Sequence, residues 1–142
     1  MSERRFEVRF DPDALHEYQG LDKSVVGDVD KALERLETRA DEIGKPLQNK
    51  HSTKLHGCKE IKLRKAGLRI VFRVTTETVD VLRIAYVLTI ERRDLDFVFD
   101  VAHTRWGRFK RQSNIRAYLD ASPRWGKIST GKLRKKNGSR RK

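Results

Sequence analysis

"EIKLRKAGLRIVFRV", residues 60–74, decides how the fold is read. It alternates apolar and charged residues on either side of one break, the pattern of two half-buried strands joined by a turn. On an extended chain Glu60, Lys62 and Arg64 share one face, and Ile61 and Leu63 share the other. A two-residue turn at Ala66-Gly67 predicts a hairpin with Arg64 opposite Arg69, Lys62 opposite Val71 and Glu60 opposite Arg73. The same register sets Leu63 against Ile70 and Ile61 against Phe72 on the apolar face, and a slip of one residue would mix the two sets. Alanine suits a mirror-image turn poorly, which leaves room for a bulge. A dense row of cations on a sheet face is either a solvated surface or a surface for something negative.

Upstream, "RFEVRF" at 5–10 places Phe6, Val8 and Phe10 on one side of a strand. Asp11 then Pro12 reads as an N-cap followed by a first-turn proline. This opens a short helix that runs to about Gln19, with Leu15 and Tyr18 inward and Gly20 ending it. A second helix starts at Asp22 or Ser24. Its apolar stripe of Val25, Val29, Leu33, Leu36, Ala40 and Ile43 is core, and Gly44 and Pro46 stop it. Residues 45–58 read as loop.

Downstream, strands are expected at about 59–65, 68–75 and 78–88. The third, "TVDVLRIAYVL", is apolar on both faces, as suits a central strand covered on one side by helices. Residues 94–105 read as a helix with Phe97, Val98, Val101 and Ala102 inward. From Trp106 the period is lost, apart from a short helical stretch at 113–120. The expected architecture is α+β: an N-terminal strand and helical hairpin packed on a mainly antiparallel sheet, a short C-terminal helix, and a basic tail. The expected division is a folded domain at 1–105 and a partly disordered basic tail at 106–142.

Charge supports that division. Of the net +13, residues 106–142 carry +12 and residues 1–105 only +1. Within the latter, 1–44 carry −5 and 45–105 carry +6, a domain with two differently charged halves. Tail cations with Trp106, Phe109, Tyr118 and Trp125 between them would give non-specific RNA affinity by neutralisation and stacking. No apolar run is long enough for a membrane span. The N-terminus lacks a signal core. Cys58 is the sole cysteine, so no internal disulfide can form, which fits a cytoplasmic protein. His51, His56 and Cys58 lie close in sequence, but no second CxxC or helical HxxxH accompanies them, so no metal is expected. "STGKLRKK" at 129–136 lacks the leading glycine and preceding strand of a phosphate loop. No cofactor is expected.

Four segments in order, "GKPLQNK" at 44–50, "LHG" at 55–57, "EIKLRKAGLRIVFRV" at 60–74 and "RRDLDFVFDVA" at 92–102, resemble the RelE/ParE toxin superfamily of type II toxin–antitoxin systems. The basic residues place the resemblance on the RelE side, over about residues 4–105. The resemblance implies a cognate antitoxin partner, and mRNA cleavage in the ribosomal A site without a metal, by attack of a ribose 2′-hydroxyl on the neighbouring phosphorus. By position, Lys62, Arg64, Arg69 and Arg93 match the family's basic active-site residues. The family's late tyrosine falls at Phe99, which can stack on a base but has no proton to donate. An earlier lysine falls at Glu60, which would serve as general base or pair with Arg73. Lys62, flanked by Arg64, Arg69 and Arg73, is a candidate base, and Tyr86 a substitute acid. Lys59, Arg73, Arg92 and Phe99 are the expected further RNA contacts. Cations fixed on a rigid sheet suit the negative charge that builds on a phosphorane. Two other readings fit the same scaffold: a ParE-like inhibitor of DNA gyrase, and a non-catalytic RNA-binding protein.

Overall fold

The computed structural model describes residues 4–50, 53–79, 82–92 and 98–126. Strand β1 (Phe6–Phe10) leads into helices α1 (Pro12–Gln19) and α2 (Lys23–Arg39). Strands β2 (Lys45–Pro46), β3 (Lys59–Leu63), β4 (Leu68–Val79) and β5 (Leu82–Arg92) follow, then helices α3 (Val98–Lys110) and α4 (Ile115–Ala121). The five strands form one sheet in the order β1-β5-β4-β3-β2. Only β1 and β5 run parallel.

The helical hairpin forms where the caps predict. Asp11 accepts the Asp13 N–H at 2.9 Å and Asp22 accepts the Ser24 N–H at 2.8 Å, each satisfying a first-turn donor the helix itself leaves free. Tyr18 donates to Asp30 at 2.6 Å and ties α1 to α2. Val29, Leu33, Leu36 and Ala40 are buried against Phe6, Val8, Phe10, Ile61, Ile70 and Phe72. The stripe is core, as its period predicts.

Both faces of the sheet are covered, not one. Val71, Ile84, Tyr86 and Leu88 pack beneath Val98, Ala102, Trp106 and Phe109 of α3 and Leu119 of α4. A register shift between Val71 and Phe72 sets Val71 against Thr89 but Phe72 against Val87, leaving Leu88 over. Beyond this bulge the faces exchange, so Ile90 joins Ile70 on the α2 side.

The β3–β4 register differs by two residues from the sequence expectation. Lys62 stands opposite Arg69, Leu63 opposite Leu68, Ile61 opposite Ile70, and Glu60 opposite Val71. A two-residue mirror-image turn needs positive φ at its first central residue in type II′ and at both in type I′, so either would put Ala66 in the left-handed region. Gly67 is the glycine of the pair and takes φ 69°. The chain therefore turns over Arg64-Lys65-Ala66-Gly67, with the Gly67 N–H donating to the Arg64 carbonyl at 3.2 Å. A shift by an even number preserves the faces, so the apolar set stays together. Strand β4 also extends to Val79, past the expected boundary, with Thr75 Oγ1 donating to the Ile84 carbonyl at 3.1 Å beside a second register shift.

The folded part does not stop at residue 105. Helix α3 runs through that point and its inward set is Val98, Ala102, Trp106 and Phe109, while Val101 is half-buried and Phe97 lies outside the described residues. Trp125 is 2% exposed and sits in the α1–α2 core. Its backbone N–H donates to the Val8 carbonyl and the Phe10 N–H donates to the Pro123 carbonyl, so residues 123–125 lie along the free edge of β1. The expectation that Trp106, Phe109 and Trp125 are free for stacking on RNA is thereby corrected: all three are buried. Residues 127–142 lie outside the described residues.

Candidate nucleic-acid interface

The hairpin register brings Lys62 and Arg69 side by side on the sheet face that carries α3. Both are half-buried, and Arg64 is exposed at the turn. Lys62 and Arg64 border a trough of about 450 Å³ together with Arg35 of α2, Lys45 of β2 and Glu60. It adjoins a second trough of about 570 Å³ along α2, lined by Lys31, Arg35, Lys62, Arg64 and Lys65 with Asp28 and Glu34. Strand β2 pairs only with Lys59 and Glu60, so Lys62 and Leu63 lie on a sheet edge that no described strand covers. Arg35 and Lys45 are members of this basic rim that sequence reasoning missed. Arg35 sits on the polar flank of an amphipathic helix and Lys45 in an apparent loop, and only the tertiary fold brings them to Lys62.

Glu60 pairs with Arg69, not with Arg73. Its Oε1 lies 2.8 Å from Arg69 Nε, with the side chains 5% and 11% exposed. The contact is ionic without good hydrogen-bond direction. Glu60 Oε1 and Arg69 Nε and Nη1 are buried without a hydrogen-bond partner among the described residues. Phe99 lies over the guanidinium, 4.8 Å from ring centre to Cζ. The ring therefore stacks on a protein cation.

Other expected contacts have different tasks. Arg73 Nη1 donates to the His56 carbonyl at 2.9 Å, and the guanidinium lies 4.2 Å over Trp106. Gly57 makes room for it: a β-carbon there would come within 2.5 Å of Arg73 Nη1. Beneath it, burial pushes the Cys58 thiol pKa up, with Arg73 opposing. Lys59 donates to the Asp41 carbonyl at 3.0 Å and the Ala40 carbonyl at 3.4 Å, satisfying the C-terminal end of α2 on the far side of the sheet. Arg92 pairs in register with Leu68, whose side chain belongs to the α2 side, so Arg92 and Arg69 face opposite ways. Tyr86 is fully buried with its ring 4.8 Å from Phe109, and burial drives its phenol far above the ordinary range. It is sealed from any RNA at the hairpin and is no substitute acid. Arg93 lies outside the described residues.

Helix α3 is fixed over the sheet by an ionic cluster. Arg108 holds the fully buried Asp11 at 2.9 and 3.0 Å. Arg105 holds Glu17 at 2.8 and 3.0 Å and donates to the Leu88 carbonyl at 2.9 Å. Glu17 also accepts from the Ile90 N–H beyond the end of β1. Burial, with Glu17 nearby, raises the Glu91 carboxyl pKa. Among the described residues no three metal-binding side chains converge, and no helix is long and apolar enough to cross a membrane.

No family model matches the chain. A curated Escherichia coli protein described as a putative RelE-like toxin is 34% identical over 106 residues, 71% of this chain and 97% of its own length. The chain belongs to the RelE toxin family. A mutant of E. coli toxin RelE in the free state shares the fold with a TM-score of 0.53 and 25% identity, over 72% of this chain and 98% of RelE. The intact E. coli RelBE toxin–antitoxin complex gives a TM-score of 0.48 at 30% identity, over 63% of this chain and 99% of the matched chain. The mixed α+β architecture expected from sequence is thus that of RelE, and more than a quarter of this chain lies outside the match.

Proposed function

We propose that this RelE-family chain is a ribosome-dependent, metal-independent endoribonuclease of a toxin–antitoxin system, held in check by a cognate antitoxin and acting on mRNA. The observation that carries the reading is the pairing of Lys62 with Arg69 across the hairpin, with Arg64 two residues on and a basic trough alongside. In the proposed reaction the 2′-oxygen bonds to phosphorus as the bond to the 5′-oxygen breaks, leaving a cyclic phosphate. Lys62 takes the 2′-proton. Arg69, Arg64 and Arg93 carry the added charge of the phosphorane, an electrostatic role whose loss at one donor commonly costs about 3 kcal/mol of barrier stabilisation. The leaving oxygen takes its proton from water, because Phe99 has no hydroxyl and Tyr86 is sealed.

Primer extension on mRNA from cells expressing the chain is expected to show breaks within translated codons. A Lys62→Ala, Arg69→Ala variant is expected to abolish the breaks and to be tolerated by the host. Intact transcripts and undisturbed translation on expression of the wild type would sink the enzyme reading. A second reading, RNA binding without cleavage, draws support from the Glu60–Arg69 pair and from the missing hydroxyl at Phe99. It predicts translation arrest or RNA association with no new 3′ ends.

A further inference from the structure

The Glu60–Arg69 pair sits in the middle of the proposed phosphate-binding group and works against it. Of the side chains that border the trough at Lys62, Glu60 is the one acid among Arg35, Lys45, Lys62 and Arg64. It is 95% buried in effect, at 5% exposure, and its carboxylate meets Arg69 on the guanidinium edge at 2.8 Å. Yet the fit is poor. Arg69 Nε and Nη1 and Glu60 Oε1 lack directed partners among the described residues, although buried donors and acceptors are nearly always satisfied. Guanidinium forks are best matched by two oxygens presented side by side, as on a phosphodiester. Glu60 does not present its oxygens in that way: Oε1 meets the guanidinium at Nε, and Nη1 is left without a hydrogen-bond partner among the described residues. The Phe99 ring covers the same guanidinium, 4.8 Å from ring centre to Cζ.

We infer that Glu60 is a resident counter-anion that occupies Arg69 until an RNA phosphate displaces it, an inference that rests on the nuclease reading above. Glu60 is then a positioning residue rather than a member of the reacting set. Its carboxylate stands in for the phosphate oxygens, keeps the guanidinium aimed along the hairpin, and lowers the affinity for free RNA. Lys62, directly opposite Arg69, supplies the second cation that lets an arriving phosphate compete.

The test is a salt titration of binding between the purified full chain and a short single-stranded RNA, with ribosomal cleavage measured in parallel. Glu60→Gln keeps the shape and removes the charge. It is expected to bind about five- to tenfold tighter at near-physiological salt, with the log–log salt slope steeper by about 0.7, the increment for one added phosphate contact on single strands. Glu60→Gln with Arg69→Gln is expected to return to the wild-type slope. Should Glu60→Gln fail to fold, Glu60→Asp, which withdraws the carboxylate by one methylene, is expected to give a smaller gain of the same sign. A folded Glu60→Gln or Glu60→Asp with unchanged affinity and slope overturns the inference. So does a gain that persists without Arg69. Tighter binding with cleavage lost would assign Glu60 to the chemistry and also overturn it. Tighter binding in a chain whose wild type never cleaves mRNA supports the counter-anion and refutes the nuclease reading.

Discussion

Gly57 takes φ +95°, a backbone state that costs an L-residue about 1–2 kcal/mol, and it does so directly beneath a guanidinium. The two facts are linked. The turn at 55–58 directs the His56 carbonyl at Arg73, and only a residue without a β-carbon lets Arg73 reach it. Gly57→Ala is therefore expected to be destabilised by about 2 kcal/mol, summing backbone strain and the displaced Arg73 contact. Urea midpoints would read it directly, and a variant as stable as wild type would show that Arg73 is not held by this turn. Residue by residue, the site was only half legible. The alternation at Glu60, Lys62 and Arg64 shows which side chains share a face. It does not show which cation Glu60 reaches, because that depends on whether the turn holds two residues or four. Lys59 and Arg73 look like further members of the cation row. The first is on the other side of the sheet, and the second is spent on a carbonyl and an indole.

At the scale of elements, the C-terminal clasp has no periodic signature, and composition hides it. Residues 106–126 carry five Lys or Arg against one acid and read as tail, yet Trp125 lies in the core cluster that holds Phe10 and Tyr18. Arg9 explains how so basic a segment is held: its Nη1 reaches the carbonyls of Leu119 and Ser122 at 2.9 Å, while its Nη2 pairs with the buried Glu7 at 2.6 Å. One β1 arginine thus answers the C-terminal carbonyls of α4 and the buried Glu7 carboxylate, which Arg124 of the clasp also approaches at 3.7 Å. Trp125→Ala is expected to lower stability by about 3–5 kcal/mol, the cost of removing a large aromatic from a packed site. A change below about 0.5 kcal/mol, the usual range of surface substitutions, would return the segment to the status of a tail. The starts of both hairpin helices and the apolar stripe were legible because caps and amphipathic period are local signals, while α2 ends at Arg39, short of the expected stop at Gly44. The clasp was not legible, because its contacts join residues more than a hundred positions apart.

At the scale of the whole molecule, the charge division at residue 106 falls inside the packed chain. Described packing includes Trp125, and residues 127–142 contain eight Lys or Arg and no acid. Of the hairpin cations, Lys59 and Arg73 are held by protein groups elsewhere, and Arg69 is already paired with Glu60. Affinity for RNA in general and recognition of one scissile linkage are therefore expected to reside in separate parts of the chain. Phosphate neutralisation is a count of cations and carries no sequence information, so eight tail charges contribute up to about 5–6 to the salt slope on single-stranded RNA. Placement of a reacting phosphorus depends instead on groups held by the sheet. Ending the chain after Gly126 keeps Trp125 and the clasp in place. That variant is expected to bind free RNA far more weakly, with a salt slope shallower by several units, and to leave the positions of ribosomal mRNA breaks unchanged. The comparison needs salt titration and primer extension on the same two proteins. Breaks that move or vanish in the shortened chain, with its fold intact by circular dichroism, would place positioning of the transcript in the terminal sixteen residues. A slope that does not change would mean that the cations RNA meets are those of the sheet and its helices alone.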